Sequence, residues 1–199
     1  PDGDRDRVAL PHDGDVGVAG EVAAQRPGQG GAALHGGPPL VAATGQGGLE
    51  VQVHVGAAGG LGVFATQLCK AAGANAVGVV SSDEKGELVK QLGAVDYINR
   101  NEFAGMMRTG NETKEEEKER FKVSRGFAKR VKEIFGDAPD VVFEHVGQAT
   151  FPTSVFVVKP FGKVVICGAT SGYNLDFDVR YLWMRQKQII GSHFANAYE

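Results

Sequence analysis

From residue 51 onward, short runs of β-branched residues alternate with stretches whose apolar residues recur at helical spacing. Strands are predicted at residues 51–55, 76–80, 95–98, 140–143, 163–167 and 188–191. Helices are predicted after the first strand and at residues 84–93, 148–158 and 180–187. Strands that alternate with helices at these spacings predict an α/β fold with a doubly wound parallel sheet. A ligand of such a fold lies at the carboxyl ends of the strands.

The stretch VQVHVGAAGGLGVFATQLCK, residues 51–70, has the strand, glycine-rich turn and helix of a Rossmann-type dinucleotide site. Gly56, Gly59 and Gly62 would provide a tight turn, close approach of a pyrophosphate, and close packing of helix on strand. The unpaired N–H groups and the positive dipole end of the helix would attract an anion. The same string also suits an ordinary strand-to-helix connection in any α/β protein.

Residues 1–48 differ in composition from the rest of the chain. They are built mainly from Gly, Ala, Pro, Asp, Val and Arg, and Phe64 is the first aromatic residue of the sequence. Such a segment cannot bury much large apolar surface, so it is predicted to be irregular. It is either a linker or a GC-rich coding region read out of frame. We therefore divide the chain into an irregular segment, residues 1–48, and a cofactor domain, residues 49–199.

The first strand and helix carry two further expectations. A central parallel strand usually reads as a continuous apolar run, but Gln52 and His54 interrupt this one. Either these two residues are accommodated locally, or the upstream reading error extends to about residue 55; His54 is not predicted to be a ligand. In the following helix, Val63, Leu68 and Ala71 are predicted to face the sheet.

Residues 101–136 interrupt the alternation with a highly charged, helix-favouring insertion. Phe121, Phe127, Val131 and Ile134 would form one apolar stripe along it. The pattern predicts a solvated helix that packs on the sheet through this stripe. The alternative is an insertion that contributes to a subunit interface.

The net charge and the two cysteines limit the kinds of partner that we expect this chain to bind. The formal net charge is -3, which gives no reason to expect nucleic acid or an anionic membrane surface as a partner. No apolar run is long enough to span a bilayer. Cys69 and Cys167 lie far apart without metal-ligand spacing, so reduced thiols and no metal site are expected. The chain is predicted to be cytoplasmic.

The residues about 20 positions beyond the glycine turn favour NADPH over NAD as cofactor. There Ser81 and Ser82 end the second strand, and Lys85 follows within one helical turn. Serine donates hydrogen bonds to phosphate oxygens, and lysine supplies the positive charge that a 2′-phosphate needs. Arg100 would close the same pocket from the loop after the third strand. Asp83 favours NAD but would equally cap the helix, and Lys85 and Arg100 are compatible with ordinary surface charges.

The sequence also contains longer motifs, which identify a protein family more specifically than the glycine turn does. With these motifs, the sequence resembles the crotonyl-CoA carboxylase/reductases. This family belongs to the zinc-independent branch of the medium-chain dehydrogenase/reductase superfamily. The resemblance covers about residues 51–199. Its motifs, besides the glycine turn, are SSDEK at 81–85, DYINR at 96–100, EHVGQATF at 144–151, CGATSGY at 167–173, FDVRYLWM at 177–184 and GSHFAN at 191–196.

The resemblance implies that NADPH delivers hydride to crotonyl-CoA and that the resulting enolate attacks CO2 to give ethylmalonyl-CoA. Such a site must exclude water and hold a polar group where carboxylate charge develops. His193 would be the catalytic residue, positioning CO2 through a water, whereas His145 would line the cofactor groove. The implied cofactor-binding residues are Gly56, Gly59, Gly60, Leu61, Gly62, Ser81, Ser82, Lys85, Arg100, His145, Gly147, Gly168, Ser171, Phe194 and Asn196.

The sequence also departs from the family pattern. An Asn and a Phe-Glu pair that bind CO2 in the family have no counterpart in residues 1–50. We therefore expect this chain to be the cofactor domain of a longer, homo-oligomeric enzyme and to be inactive alone. The alternatives are an enoyl-thioester or quinone reductase that protonates the enolate, and a dinucleotide-binding module without turnover.

Overall fold

The computed structural model describes residues 50–193, which form a six-stranded, wholly parallel sheet flanked by helices. The strands are β1 (Val51–Val55), β2 (Asn75–Val80), β3 (Asp96–Asn99), β4 (Val141–Glu144), β5 (Lys163–Ile166) and β6 (Gln188–Gly191). The helices are α1 (Gly60–Ala71), α2 (Asp83–Leu92), α3 (Lys114–Phe135), α4 (Phe151–Val157) and α5 (Arg180–Trp183), with a 3₁₀ helix at Arg100–Phe103. The predicted α/β fold is confirmed, whereas the predicted irregular segment, residues 1–48, lies outside the described residues.

The strand order β3-β2-β1-β4-β5-β6 reverses between β1 and β4. Helices α1 and α2 pack with β1, β2 and β3 on one face, and α3 and α4 cover the other face. The main core lies on the α3–α4 side, where Val53, Val142, Phe127 and Val155 are buried together. The reversal leaves a crevice at the carboxyl ends of β1 and β4, which is where open α/β sheets bind their ligands.

The predicted strands agree with the observed ones to within one residue at each end. The predicted helices 148–158 and 180–187 were too long. Residues 147–150 form a turn in which the N–H groups of Thr150 and Phe151 donate to the carbonyl of Gly147, so α4 begins only at Phe151. Helix α5 ends at Trp183, and it cannot extend to the predicted residue 187 because Gln186 has a positive φ of 50°, outside the helical region.

The prediction of which residues of α1 face the sheet was wrong. Leu68 is 63% exposed and Ala71 is exposed, and the buried residues of the helix are Gly62, Thr66 and Cys69. A Cβ on Gly62 would lie 2.6 Å from backbone atoms of Ala57, so only glycine allows this approach. The contact at the first turn sets the rotation of the whole helix, and it turns small and polar residues toward the sheet.

Gln52 and His54 are accommodated by a buried polar network between β1 and α1. The Thr66 hydroxyl donates to the carbonyl of Gly62 at 2.9 Å. His54 lies between two polar partners, with Nδ1 3.3 Å from Thr66 Oγ1 and Nε2 3.2 Å from Gln52 Oε1. The Cys69 thiol donates to Gln52 Oε1 at 3.1 Å and lies 3.5 Å from His54 Nε2. The polar residues of this central strand therefore have partners on α1, as local accommodation predicts.

Helix α3 is the charged insertion, and it packs on the sheet as predicted. A capping box between Thr113 and Glu116 starts it, and Gly136 ends it in a left-handed conformation. Phe127 and Val131 are buried in the main core, while Phe121 lies against Tyr181 with ring centroids 5.6 Å apart. Within residues 50–193 no helix combines the length and the apolar character that crossing a membrane requires.

We predict that His54 makes the fold sensitive to acid. Burial, reinforced by the charge of His145, lowers the pKa of His54 to about 4, below its unfolded value of about 6.5. As pH falls below 6.5, the unfolded chain takes up the proton first, so stability drops until the folded residue also protonates near pH 4. The free energy of unfolding should lose about 3 kcal/mol from this residue between pH 7 and pH 4.

Urea unfolding of the wild type and of His54→Gln across this pH range tests the assignment. The variant should be less stable at pH 7 but should show a shallower acid dependence. Parallel pH profiles for the two proteins would contradict it.

We also predict that Gly62→Ala and Gly60→Ala differ sharply in stability. The added methyl at residue 62 would clash with the backbone of Ala57, whereas nothing lies within 4 Å of a Cβ at residue 60. Overpacking of this kind costs about 1–3 kcal/mol. The melting temperature of Gly62→Ala should fall by several degrees, and that of Gly60→Ala should match the wild type. Equal melting temperatures for the two variants would refute the close contact.

Candidate functional site

The turn after β1 places the start of α1 at the sheet crevice. Gly56 has a φ of +70°, and its carbonyl accepts a hydrogen bond from the N–H of Gly59 at 3.0 Å. Helix α1 has no acidic residue in its first turn and no side chain that caps it. Helices α2 and α3 each have acidic residues in the first turn and a capping side chain. The positive dipole end of α1 is therefore not compensated by an acidic side chain of its own first turn. This end of the helix is suited to an external anion.

A cleft of about 290 Å³ lies beside this turn, at the carboxyl ends of β1, β2 and β4. Its walls are mostly apolar, and its floor includes Val53, Val142 and Phe127 of the core. The structure brings six of the residues predicted to bind the cofactor to this cleft: Gly56, Gly59, Ser81, Lys85, Arg100 and His145.

The polar end of the cleft is formed by the residues after β2. Lys85 Nζ donates to Ser81 Oγ at 3.1 Å, so the ammonium group lies at the strand end. Ser82, and not Asp83, caps α2 by accepting from the backbone N–H of Lys85 at 3.4 Å. The Asp83 carboxylate accepts from Asn99 Nδ2 at 3.0 Å. The lysine therefore contributes to the cleft, while the nearby carboxylate is bound to an asparagine of β3.

Gly147 and Ser171 join the loops that follow β4 and β5. The Ser171 hydroxyl donates to the carbonyl of Val146 at 2.7 Å and accepts from the N–H of Ala149 at 2.9 Å. Gly147 has a φ of +88°, and a Cβ there would lie 2.8 Å from Cα of Ala169. Both predicted residues therefore hold the two loops together at the sheet edge, which leaves Ser171 little capacity to bind a ligand through its hydroxyl.

His145 lies directly over the glycine turn. A Cβ on Gly56 would be 2.9 Å from His145 Cε1 and Nε2, so the imidazole packs against that glycine. His145 Nε2 is buried and has no hydrogen-bond partner within the described residues. Gly168 lies close by, since its Cβ would be 3.4 Å from the His145 carbonyl oxygen. A buried ring nitrogen that lacks a partner among the described residues, on a side chain that lines the cleft, is suited to a polar group of a ligand.

The remaining predicted residues lie away from the cleft or outside the description. Gly62 is buried against Ala57, while Gly60 and Leu61 are exposed at the start of α1. His193 is exposed two residues after β6. Phe194 and Asn196 lie outside the described residues.

Several residues of the cleft were not predicted. Its apolar walls include Val80, Met106, Met107 and Val146, which sequence patterns assign to the core or to loops without distinction. Glu144 was also missed as a site residue, although it is buried directly behind the loop that carries His145. The signal for Glu144 is a carboxylate at the end of an apolar strand, where a buried charge requires several donors.

This arrangement fits a dinucleotide. The uncompensated helix end and the glycine turn suit a pyrophosphate, the apolar walls suit ring systems, and Lys85 and Arg100 supply positive charge at one end. A metal centre has no such basis, because in residues 50–193 no three His, Cys, Asp or Glu side chains are arranged to hold an ion.

Comparison with known proteins places this geometry in a family. Residues 60–199 match the family described as zinc-binding dehydrogenase. The crotonyl-CoA carboxylase/reductase of Cereibacter sphaeroides is 50% identical over 143 residues, which are 71% of this chain and 33% of that protein. The crotonyl-CoA reductase of Streptomyces avermitilis is 46% identical over 145 residues, 72% of this chain and 32% of that protein.

A solved structure shows the same fold. The crotonyl-CoA carboxylase/reductase AntE in complex with NADP superposes with a TM-score of 0.69 and 45% identity, covering 75% of this chain and 38% of that one. The chain spans about a third of the length of the curated relatives it matches. On these matches, the chain belongs to the zinc-binding dehydrogenase family of the medium-chain dehydrogenase/reductase superfamily, and it is similar in sequence and fold to the crotonyl-CoA carboxylase/reductases.

Proposed function

We propose that this chain is the NADPH-binding domain of an enzyme that reductively carboxylates an enoyl-CoA. The observation that carries the proposal is the cleft at the strand reversal, in which the glycine turn, Lys85 and Arg100 meet. A relative with the same fold is solved with NADP, which supports this choice of cofactor. The names of two relatives support crotonyl-CoA as the substrate class.

The chain's own residues would bind and orient the cofactor. The first N–H groups of α1 and the backbone around Gly59 would hold the pyrophosphate, because no side chain blocks their approach. Lys85, aligned by Ser81 at 3.1 Å, would pair with the 2′-phosphate, and Arg100 would add a second positive charge. Asp83, bound by Asn99, would not repel that phosphate from within the cleft.

NADPH, when bound, supplies the hydride that reduces the β-carbon of the enoyl-CoA. His193 would then act where β6 ends, by holding CO2 through a water as the carboxylate forms. The exposure of His193 at the carboxyl edge of the sheet is compatible with this role, since that edge is also where the cleft opens. Carboxylation also requires that water be kept from the enolate, and the remainder of a longer enzyme would supply that cover.

The second candidate is reduction of the enoyl-CoA without carboxylation. The name of the Streptomyces avermitilis relative, a crotonyl-CoA reductase, favours this alternative. The two reactions share the hydride step and differ in what the enolate meets, CO2 or a proton. The cleft serves both reactions equally, so the distinction depends on the groups around His193.

We further propose a homo-oligomer. Among residues 50–193, strand β6 lies at one edge of the sheet, and its Ile189 and Ile190 are each 38% exposed. An unpaired strand edge with apolar side chains is suited to pairing with another chain.

We predict that Lys85→Ala weakens NADPH binding selectively. Loss of a charge-assisted contact to the 2′-phosphate should raise the dissociation constant for NADPH at least about tenfold, with NADH changed less than about twofold. Isothermal titration of the full chain with each cofactor measures both. Lys90→Ala is the matched control, because Lys90 is an exposed lysine of the same helix that pairs with Glu87 and does not line the cleft. An equal loss for NADPH and NADH would contradict the assignment of Lys85.

We predict that His193→Asn separates reduction from carboxylation in the complete gene product. With NADPH, crotonyl-CoA and bicarbonate, the wild type should form ethylmalonyl-CoA. The variant should still oxidise NADPH but should form mainly butyryl-CoA, because hydride transfer does not require CO2 to be positioned. Mass analysis of the products decides the matter. Butyryl-CoA from the wild type would support the plain reductase, and unchanged carboxylation by the variant would remove His193 from this role.

A further inference from the structure

Glu144, the last residue of β4, carries a fully buried carboxylate that the proposed chemistry does not use. Its Oε1 accepts from the backbone N–H groups of Val146 at 2.7 Å and Gly147 at 3.1 Å. Its Oε2 accepts from the hydroxyls of Ser154 at 2.6 Å and Thr150 at 2.9 Å. Four donors from the loop and from the start of α4 therefore converge on one carboxylate.

These contacts fix the loop that carries His145. The backbone N–H groups of the two residues after His145 are both bonded to Glu144, so a turn of the loop would break two of the four hydrogen bonds to a buried carboxylate. The other side of the loop is held by Ser171, whose backbone N–H and hydroxyl both donate to the carbonyl of Val146. His145 is thus held between a buried anion and the neighbouring loop.

The orientation that results places the imidazole against Gly56, on a side chain that lines the cleft, and its buried Nε2 has no hydrogen-bond partner among residues 50–193. Glu144 itself does not line the cleft, so its carboxylate does not meet a ligand there. A carboxylate that only stabilised α4 would need the two hydroxyls but not the two loop N–H groups.

We propose that Glu144 is a positioning residue for cofactor binding and that it acts through His145. The buried carboxylate holds the loop so that His145 Nε2 makes a hydrogen bond to an oxygen of the dinucleotide backbone, a phosphate oxygen or a ribose hydroxyl. This inference rests on the proposed dinucleotide-binding function. It assigns the unpartnered nitrogen to the part of the cofactor that NADPH and NADH share.

The test is a double-mutant cycle on cofactor affinity in the full chain, measured by titration with NADPH and with NADH. His145→Phe keeps a flat ring but removes the nitrogen, and it should raise both dissociation constants about tenfold. Glu144→Gln should raise them about fivefold on its own and less than twofold in the His145→Phe background, because its effect passes through His145. Ser154→Ala, which removes one donor and keeps the carboxylate, is the milder variant should Glu144→Gln fail to fold, and its smaller effect should likewise vanish in the His145→Phe background.

Ser124→Ala is the matched control. Ser124 is a buried hydroxyl of α3 bonded to Thr153 at 3.0 Å, so its loss should lower the melting temperature without changing cofactor affinity. Unchanged affinity in His145→Phe, equal losses from Glu144→Gln in both backgrounds, or an equal loss in Ser124→Ala would each overturn the inference. If the wild type bound neither cofactor, the proposed function itself would fail, a result distinct from these three.

Discussion

The contact between the first turn of α1 and the end of β1 is the constraint on which the site depends. Gly62 lies so close to Ala57 that a Cβ would be 2.6 Å from backbone atoms. This approach directs the amino end of α1 at the crevice between β1 and β4 and sets the helix rotation, which in turn brings Thr66 and Cys69 onto the sheet. The anion-binding end of the helix and the polar network beneath it are two consequences of one contact.

Two adjacent central strands carry buried polar groups, and the groups face opposite sides of the sheet. On β1, His54 and Gln52 bond to α1, whereas on β4 the Glu144 carboxylate bonds to the start of α4 and its loop. Burial lowers the pKa of His54 to about 4, so it is neutral near pH 7, and burial together with the charge of Glu50 raises the pKa of the Cys69 thiol to about 11. His54 and the Cys69 thiol are therefore both uncharged near pH 7. The polar network of β1 and the polar network of β4 each join a strand to the helix beside it.

Strand positions were predictable because buried parallel strands read as short β-branched runs, and the glycine spacing located the turn. The face of α1 was not predictable, since apolar periodicity favoured Leu68 while close packing required Gly62, and packing prevailed. Lys85 and Arg100 were found because charge near a predicted strand end is visible in sequence. Glu144 was missed because its partners are mainly backbone N–H groups and hydroxyls, which only the folded loop brings together.

On the proposed function, these elements would bind different parts of a dinucleotide by different kinds of interaction. The amino end of α1 offers N–H groups and a dipole, which attract any pyrophosphate irrespective of the nucleotide. The Lys85 ammonium lies at the end of β2, where only a 2′-phosphate would gain from it. His145, held over the turn, would contribute a single directional bond near the shared backbone. On this proposal, affinity common to both nicotinamide cofactors would depend on β1, α1 and the loop after β4, while discrimination between them would depend on the residues that follow β2 and β3. On the proposed function, a change at Lys85 would alter cofactor preference without disturbing the fold, because within residues 50–193 its side chain is bonded only to a neighbouring serine.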